Sequence, residues 1–110
     1  MGDALAIIAI VERGNADHIV KMAKKAGARG ATILYGRGTG EKEAKKIFNM
    51  RVESSKEAII VLTEKENSEP IFNAIVDAGE LKETGTGIIF TTKVSNLVGL
   101  HHRDDGKFEV

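Results

Sequence analysis

The sequence predicts an α+β sandwich, one four-stranded antiparallel sheet with two helices on one face, and three observations point to it. First, the chain nearly repeats itself at an offset of 52 residues: Ala6-Ile7-Ile8-Ala9-Ile10-Val11-Glu12 returns as Ala58-Ile59-Ile60-Val61-Leu62-Thr63-Glu64. Ile19, Ala26 and Gly27 return in the same way as Ile71, Ala78 and Gly79. Second, each copy is an apolar run of strand length, a helix-period segment ending in Ala-Gly, and a glycine-bearing stretch feeding another apolar run. Two β-α-β units in tandem make the split βαββαβ arrangement called ferredoxin-like. Third, 110 residues suffice for one domain, residues 1–110, and two units are too few to stack as a solenoid.

The strands are expected near Leu5–Val11, Ala31–Gly36, Ala58–Thr63 and Gly87–Thr92. The first helix is expected from about Asn15 to Ala26. Asn15 stands where an N-cap belongs, Asp17 falls in the first turn, and Lys24 and Lys25 face the C-terminal dipole before Gly27. Ile19, Met22, Ala23 and Ala26 recur at i, i+3, i+4 and i+7, one buried stripe. In the second helix Ile71, Ala74, Ile75 and Ala78 do the same, with Asn67 or Ser68 as cap, Pro70 in the first turn and Gly79 as the stop. Ile59-Ile60-Val61-Leu62 and Ile88-Ile89-Phe90 are apolar toward both faces of the sheet. Two helices cover one face only, so the other needs a cover. A second copy of the chain supplies it most simply, which predicts a homo-oligomer packed sheet to sheet.

Composition narrows the function. Sixteen basic side chains balance sixteen acidic ones, leaving no overall field to hold nucleic acid or an anionic membrane. The chain has no cysteine, which excludes disulfides, a thiol nucleophile and cysteine–zinc sites. Met1-Gly2-Asp3 leads straight into strand-like sequence without a basic n-region or cleavage site. No apolar stretch approaches the roughly 20 residues of a membrane span. A cytoplasmic protein is expected.

Two glycine-bearing segments are candidates for chemistry. Gly36-Arg37-Gly38-Thr39-Gly40 opens a long connection after the second strand. Its alternate glycines permit positive φ and let backbone N–H groups approach a ligand. Thr39 can cap a short helix with Glu41 and Lys45 as an i, i+4 pair and Ala44, Ile47 and Phe48 on its apolar side. The segment reads either as an anion site or as a turn with a capped surface helix. It is neither a Walker loop nor a dinucleotide fingerprint, since neither spacing is present. Lys82-Glu83-Thr84-Gly85-Thr86-Gly87 precedes the last strand and reads either as a plain helix-to-strand connection or as a partner of the first segment. Both segments are expected at equivalent places in the repeat, next to strand ends. No metal site is predicted: His101 and His102 are neighbours that face opposite sides of any strand, and His18 has no partner in sequence. No nucleophile–base arrangement stands out among the sixteen carboxylates, so no enzyme is expected.

Gly27-Ala28-Arg29-Gly30-Ala31-Thr32, Gly36-Arg37-Gly38-Thr39-Gly40, Thr84-Gly85-Thr86-Gly87-Ile88-Ile89-Phe90 and Val94-Ser95-Asn96-Leu97-Val98, in this order and spacing, resemble the PII signal-transduction superfamily over nearly the whole length. The resemblance implies a trimer with adenine nucleotides (ATP, ADP or AMP) in the clefts between neighbouring subunits. It makes 36–50 a T-loop-like segment that touches a target protein, 82–87 a phosphate-loop-like segment and 95–110 the C-terminal segment. By matching position, Thr32, Gly38 and Gly40 line one cleft wall and Gly85, Thr86 and Gly87 hold phosphates. Arg37, Thr39, Lys82, Thr84, His101 and Arg103 join the expected nucleotide set, and Arg37, Lys42, Lys45 and Lys46 meet ligand phosphates or an acidic partner.

The chain departs from the family's pattern as well. Ile88 stands where a lysine is usual, and Gly99 and His101 stand where two arginines are usual. Losing three cations from a polyphosphate site costs several kcal/mol, at roughly 1.5–3 kcal/mol per charged hydrogen bond. The long loop is shorter than in the nitrogen-regulating members and lacks their modified tyrosine; Tyr35, the only tyrosine, falls in the second strand. The resulting expectation is a divergent, non-enzymatic PII-like regulator that binds an adenine nucleotide or small anion. Through its long loop it would control a partner, a membrane transporter or a metabolic enzyme. The alternatives are a metal-handling trimer like the CutA copper-tolerance proteins, using His18, His101 and His102, and a ligand-free structural trimer.

Overall fold

The computed structural model describes residues 3–39, 46–47, 50–51 and 54–100. Strand β1 (Ala4–Glu12) leads to helix α1 (Ala16–Lys25), then to β2 (Thr32–Gly38). A small ribbon, β3 (Lys46–Ile47) with β4 (Met50–Arg51), precedes β5 (Ser54–Glu64); a 3-10 turn (Lys65–Asn67), α2 (Ser68–Ala78) and β6 (Gly87–Val94) follow. The main sheet runs β2-β5-β1-β6 with every neighbouring pair antiparallel. This is the ferredoxin-like α+β fold that the repeat predicts.

Alternation along the strands sorts the apolar residues into two sets. Ile7, Ala9 and Val11 of β1 and Ile59 and Val61 of β5 are buried beneath Ile19 and Ala23 of α1 and Ile71 and Ile75 of α2. Each buried isoleucine contributes about 1.5–3 kcal/mol through the apolar surface it withdraws from water. Their neighbours Ile8, Ile10, Ala58 and Ile60 point to the opposite face, together with Leu34 of β2 and Ile88 and Phe90 of β6. Among the described residues nothing covers that face: Leu34, Ile88 and Phe90 are 51%, 56% and 42% exposed.

Several local expectations need correction. Asn15 and Asn67 occupy the N-cap positions of α1 and α2, yet neither caps through its side chain. The orphan N–H groups at the start of α1 are met by Glu57 of β5, whose Oε1 accepts from Gly14 N at 2.6 Å and Ala16 N at 3.1 Å. Glu57 is 5% exposed, and the positive end of the helix offsets part of the cost of burying a carboxylate. Asn67 instead donates to the Glu64 carboxylate, and the Ser68 hydroxyl donates to Lys65 O. Gly27 ends α1 with φ +120°, helped by Ala28 N donating to Ala23 O at 3.0 Å. Gly79 ends α2 as its C-cap, as expected, but with a right-handed φ of −89°; the positive φ (+52°) belongs to Glu80. Gly79 lies under Ile19, and a Cβ there would stand 3.1 Å from Ile19 Cδ1.

The short helix expected after Thr39 is also corrected. Lys46 and Ile47 are strand, paired antiparallel with Arg51 and Met50. At Ile47, a β-branched residue, strand pairing replaces the helical expectation; Glu41 and Lys45 lie outside the described residues. Ala44 and Phe48 lie outside the described residues. No helix among the described residues is long and apolar enough to cross a membrane.

Candidate functional site

Strand directions bring four chain segments to one end of the sheet. Here β1 finishes at Glu12, β5 starts, β2 runs out at Gly38 and β6 begins at Gly87. Between them, on the uncovered face, lies a cleft of about 650 Å³. Its floor is apolar, made by Ile10, Leu34, Ala58 and Ile88. Gly36, Gly38 and Thr39 line it on one side and Gly85 and Gly87 on the other. Both candidate glycine segments therefore flank a single concavity.

The glycines serve different purposes. Gly36 and Gly38 are extended strand residues without positive φ, so conformational freedom is not their use. What they provide is a bare backbone edge: a Cβ on Gly38 would meet Lys56 Cγ at 3.3 Å. Gly87 is under tighter constraint, with φ +153° and its hypothetical Cβ only 2.5 Å from Ile10 O. Any larger residue there pushes β6 from β1. Gly85 (φ +84°) completes the approach, and the Thr86 hydroxyl lies 2.8 Å from Glu80 O and 3.0 Å from Glu83 O, tying down the turn.

The two segments are not equivalent in the repeat, contrary to expectation. Thr32 of β2 stands opposite Ile60, whereas Phe90 of β6 stands opposite Ile8, 58 positions after Thr32 and not 52. The connection from α2 to β6 thus holds six residues beyond the repeat. One glycine segment leaves a strand and the other enters one; the strand directions, not the duplication, bring them together.

Charge at the cleft comes from a pair the sequence did not single out. Lys56 lines it, and Lys56 Nζ lies 3.1 Å from Glu12 Oε2, the residue directly across β1 and β5. Arg37 also borders the cleft, but alternation turns it and Tyr35 to the face opposite Gly36 and Gly38. On that face Arg13 sits over the Tyr35 ring, 5.4 Å from its centroid. Lys56 and Glu12 were legible in principle as the polar residues closing two apolar strands. Only the register shows that they meet.

Of the residues expected to bind nucleotide, Arg37, Gly38, Thr39, Gly85 and Gly87 are brought together around the cleft. Thr32 begins β2, two positions before the cleft residue Leu34, and Lys82, Thr84 and Thr86 belong to the turn before β6, off the cleft wall. Gly40, His101 and Arg103 lie outside the described residues, as do Lys42 and Lys45 of the expected partner-binding set; Lys46 is placed on β3. His18 borders a second cavity of about 170 Å³ with Gly79 and Glu80. Among the described residues no three His, Asp or Glu side chains converge on a metal position; His101 and His102 lie outside them.

The model of the family described as Nitrogen regulatory protein P-II matches residues 4–104, a stretch that takes in the whole sheet, both helices and the cleft. No curated protein matches the chain.

Proposed function

The chain belongs to the nitrogen regulatory protein P-II family, and from that premise we propose that it is a non-enzymatic cytoplasmic regulator that binds an adenine nucleotide or related small anion in its cleft. The observation that carries this reading is the meeting of Gly36–Thr39 and Gly85–Gly87 across one concavity of about 650 Å³. Backbone amides at such glycines approach a phosphate closely, and the apolar floor suits a base. In this reading three copies bury their uncovered sheet faces against one another, and each cleft lies at a seam between neighbours. Ligand occupancy orders residues 36–50, which then dock on or release a target, a membrane transporter or a metabolic enzyme. A loop with two states and a ligand that prefers one of them is sufficient for this.

The test is a panel of ATP, ADP, AMP and cyclic dinucleotides read by thermal shift and by proteolysis within residues 37–50. At least one nucleotide raises the melting temperature and changes the cleavage pattern. If none does either, nucleotide sensing is wrong for this protein.

A further inference from the structure

We propose that the helix side of the sheet, at the end where the long connection leaves, is a docking surface for an acidic segment of a partner protein, built on Arg13, Tyr35 and Arg37. It goes beyond the cleft reading and stands whether or not a nucleotide binds there. The register assembles it. Arg13 prolongs β1 by one step, its N–H donating to Ser55 O at 3.1 Å, and Ser55 is directly opposite Arg37 of β2. Arg13, Ser55 and Arg37 therefore form a row across three strands, and all three are exposed. The next row inward is Val11, Glu57 and Tyr35. Alternation sends the side chains of both rows to the helix side, away from Lys56 and the cleft. Helix α1 begins only at Ala16 and leaves the outer row open to solvent.

The chemistry of these rows suits carboxylates. Arg13 sits over the Tyr35 ring, 5.4 Å from its centroid, while the ring itself is 71% exposed. So open an aromatic adds little to the core. What it does is hold the guanidinium fork in place, so that less freedom is lost when the fork meets a carboxylate. Arginine and tyrosine are also the side chains that most often anchor protein interfaces. The acid within these rows, Glu57, is buried and accepts from Gly14 N and Ala16 N, which turns it to the start of α1. Arg13 and Arg37 are two strand spacings apart, about 10 Å. Alternate side chains on one side of an extended chain are about 7 Å apart, a gap that two long arginine side chains bridge. The surface thus matches an extended segment with acids at alternate positions.

The experiment is an NMR titration of the isotope-labelled chain with a short peptide alternating glutamate and serine, and with its glutamine counterpart. The glutamate peptide is expected to shift the amide signals of Arg13, Tyr35, Arg37 and Ser55, and added salt to weaken it by screening. The glutamine peptide is expected to leave those signals in place. Arg13→Gln is expected to weaken binding about two- to fivefold, the range of an exposed charge pair, and Arg13→Lys to recover only part of the loss. Tyr35→Ala, which removes the platform, is expected to match Arg13→Gln, whereas Tyr35→Phe keeps the ring and the affinity. Lys56→Met, on the opposite face of β5, is expected to change nothing. A glutamate peptide that shifts none of these signals overturns the proposal. So does equal binding of the glutamine peptide, or binding unchanged in Arg13→Gln. A loss in Lys56→Met as large as that in Arg13→Gln overturns it too, by placing the peptide in the cleft.

Discussion

Ile8 and Ile60 stand directly opposite each other on the two central strands, and they are also the same position in the two halves of the repeat. A pseudo-two-fold axis therefore passes between them. The flanking pairs confirm it: Ile7 faces Val61 and Ala9 faces Ile59, and each pair becomes the other on exchanging the halves. The symmetry stops at the cleft end of the sheet. Glu57 and Lys56 correspond to Leu5 and Ala4 in the first half, so the residues that cap α1 and charge the cleft are departures from the duplicated pattern.

Glu57 is the first place to test this. Glu57→Ala strips an acceptor from Gly14 N and from the buried Ala16 N, and is expected to destabilise the fold by about 1–3 kcal/mol. Glu57→Gln keeps an oxygen in place and loses only the attraction of the carboxylate for the helix start, about 0.3–1 kcal/mol. Urea denaturation of the two variants checks the order. Equal losses would mean that charge, not the acceptor, holds the turn.

Two glycines at the cleft should respond in opposite ways. Gly87→Ala brings a Cβ to 2.5 Å from Ile10 O at a φ of +153°, and is expected to cost roughly 1–3 kcal/mol from backbone strain alone. Gly38→Ala meets only the flexible stem of Lys56 at 3.3 Å in extended backbone. Its cost is expected to stay within about 0.5 kcal/mol. Thermal unfolding of both variants measures the contrast; a tolerant Gly87 would mean that β6 can move away from β1.

The uncovered face gives a third prediction. Phe90 lies opposite Ile8 and is 42% exposed in the single chain. If three copies bury this face, Phe90→Asp places an unpaired carboxylate in the interface, which costs several kcal/mol. Sedimentation velocity at micromolar concentration should then show the trimer giving way to monomer. A variant that sediments as the parent does would show that the face remains open.

Much of the fold was legible because the repeat is strong where the sheet is central. The apolar runs around Ile8 and Ile60 identified β1 and β5, and the Ile19 and Ile71 stripes identified both helices. The misses at the start of α1 and in the long connection are choices of partner. Glu57 caps α1 from 41 residues away, while the sequence offered the adjacent Asn15. Lys46 and Ile47 pair with Arg51 and Met50, a strand pairing at short separation that competes with the helix an i, i+4 signal suggests. The cleft was half legible. Glycines announce themselves by composition, whereas the Glu12–Lys56 pair exists only through the antiparallel register.

The Arg13–Tyr35 contact has a practical consequence. Tyr35 is the chain's only tyrosine and there is no tryptophan, so emission excited beyond the phenylalanine absorption band arises from one ring, on β2 just ahead of Gly36 and Gly38. A cation resting on that ring makes its quantum yield sensitive to the position of the β1–α1 turn. The unlabelled protein thus carries its own optical probe beside the cleft.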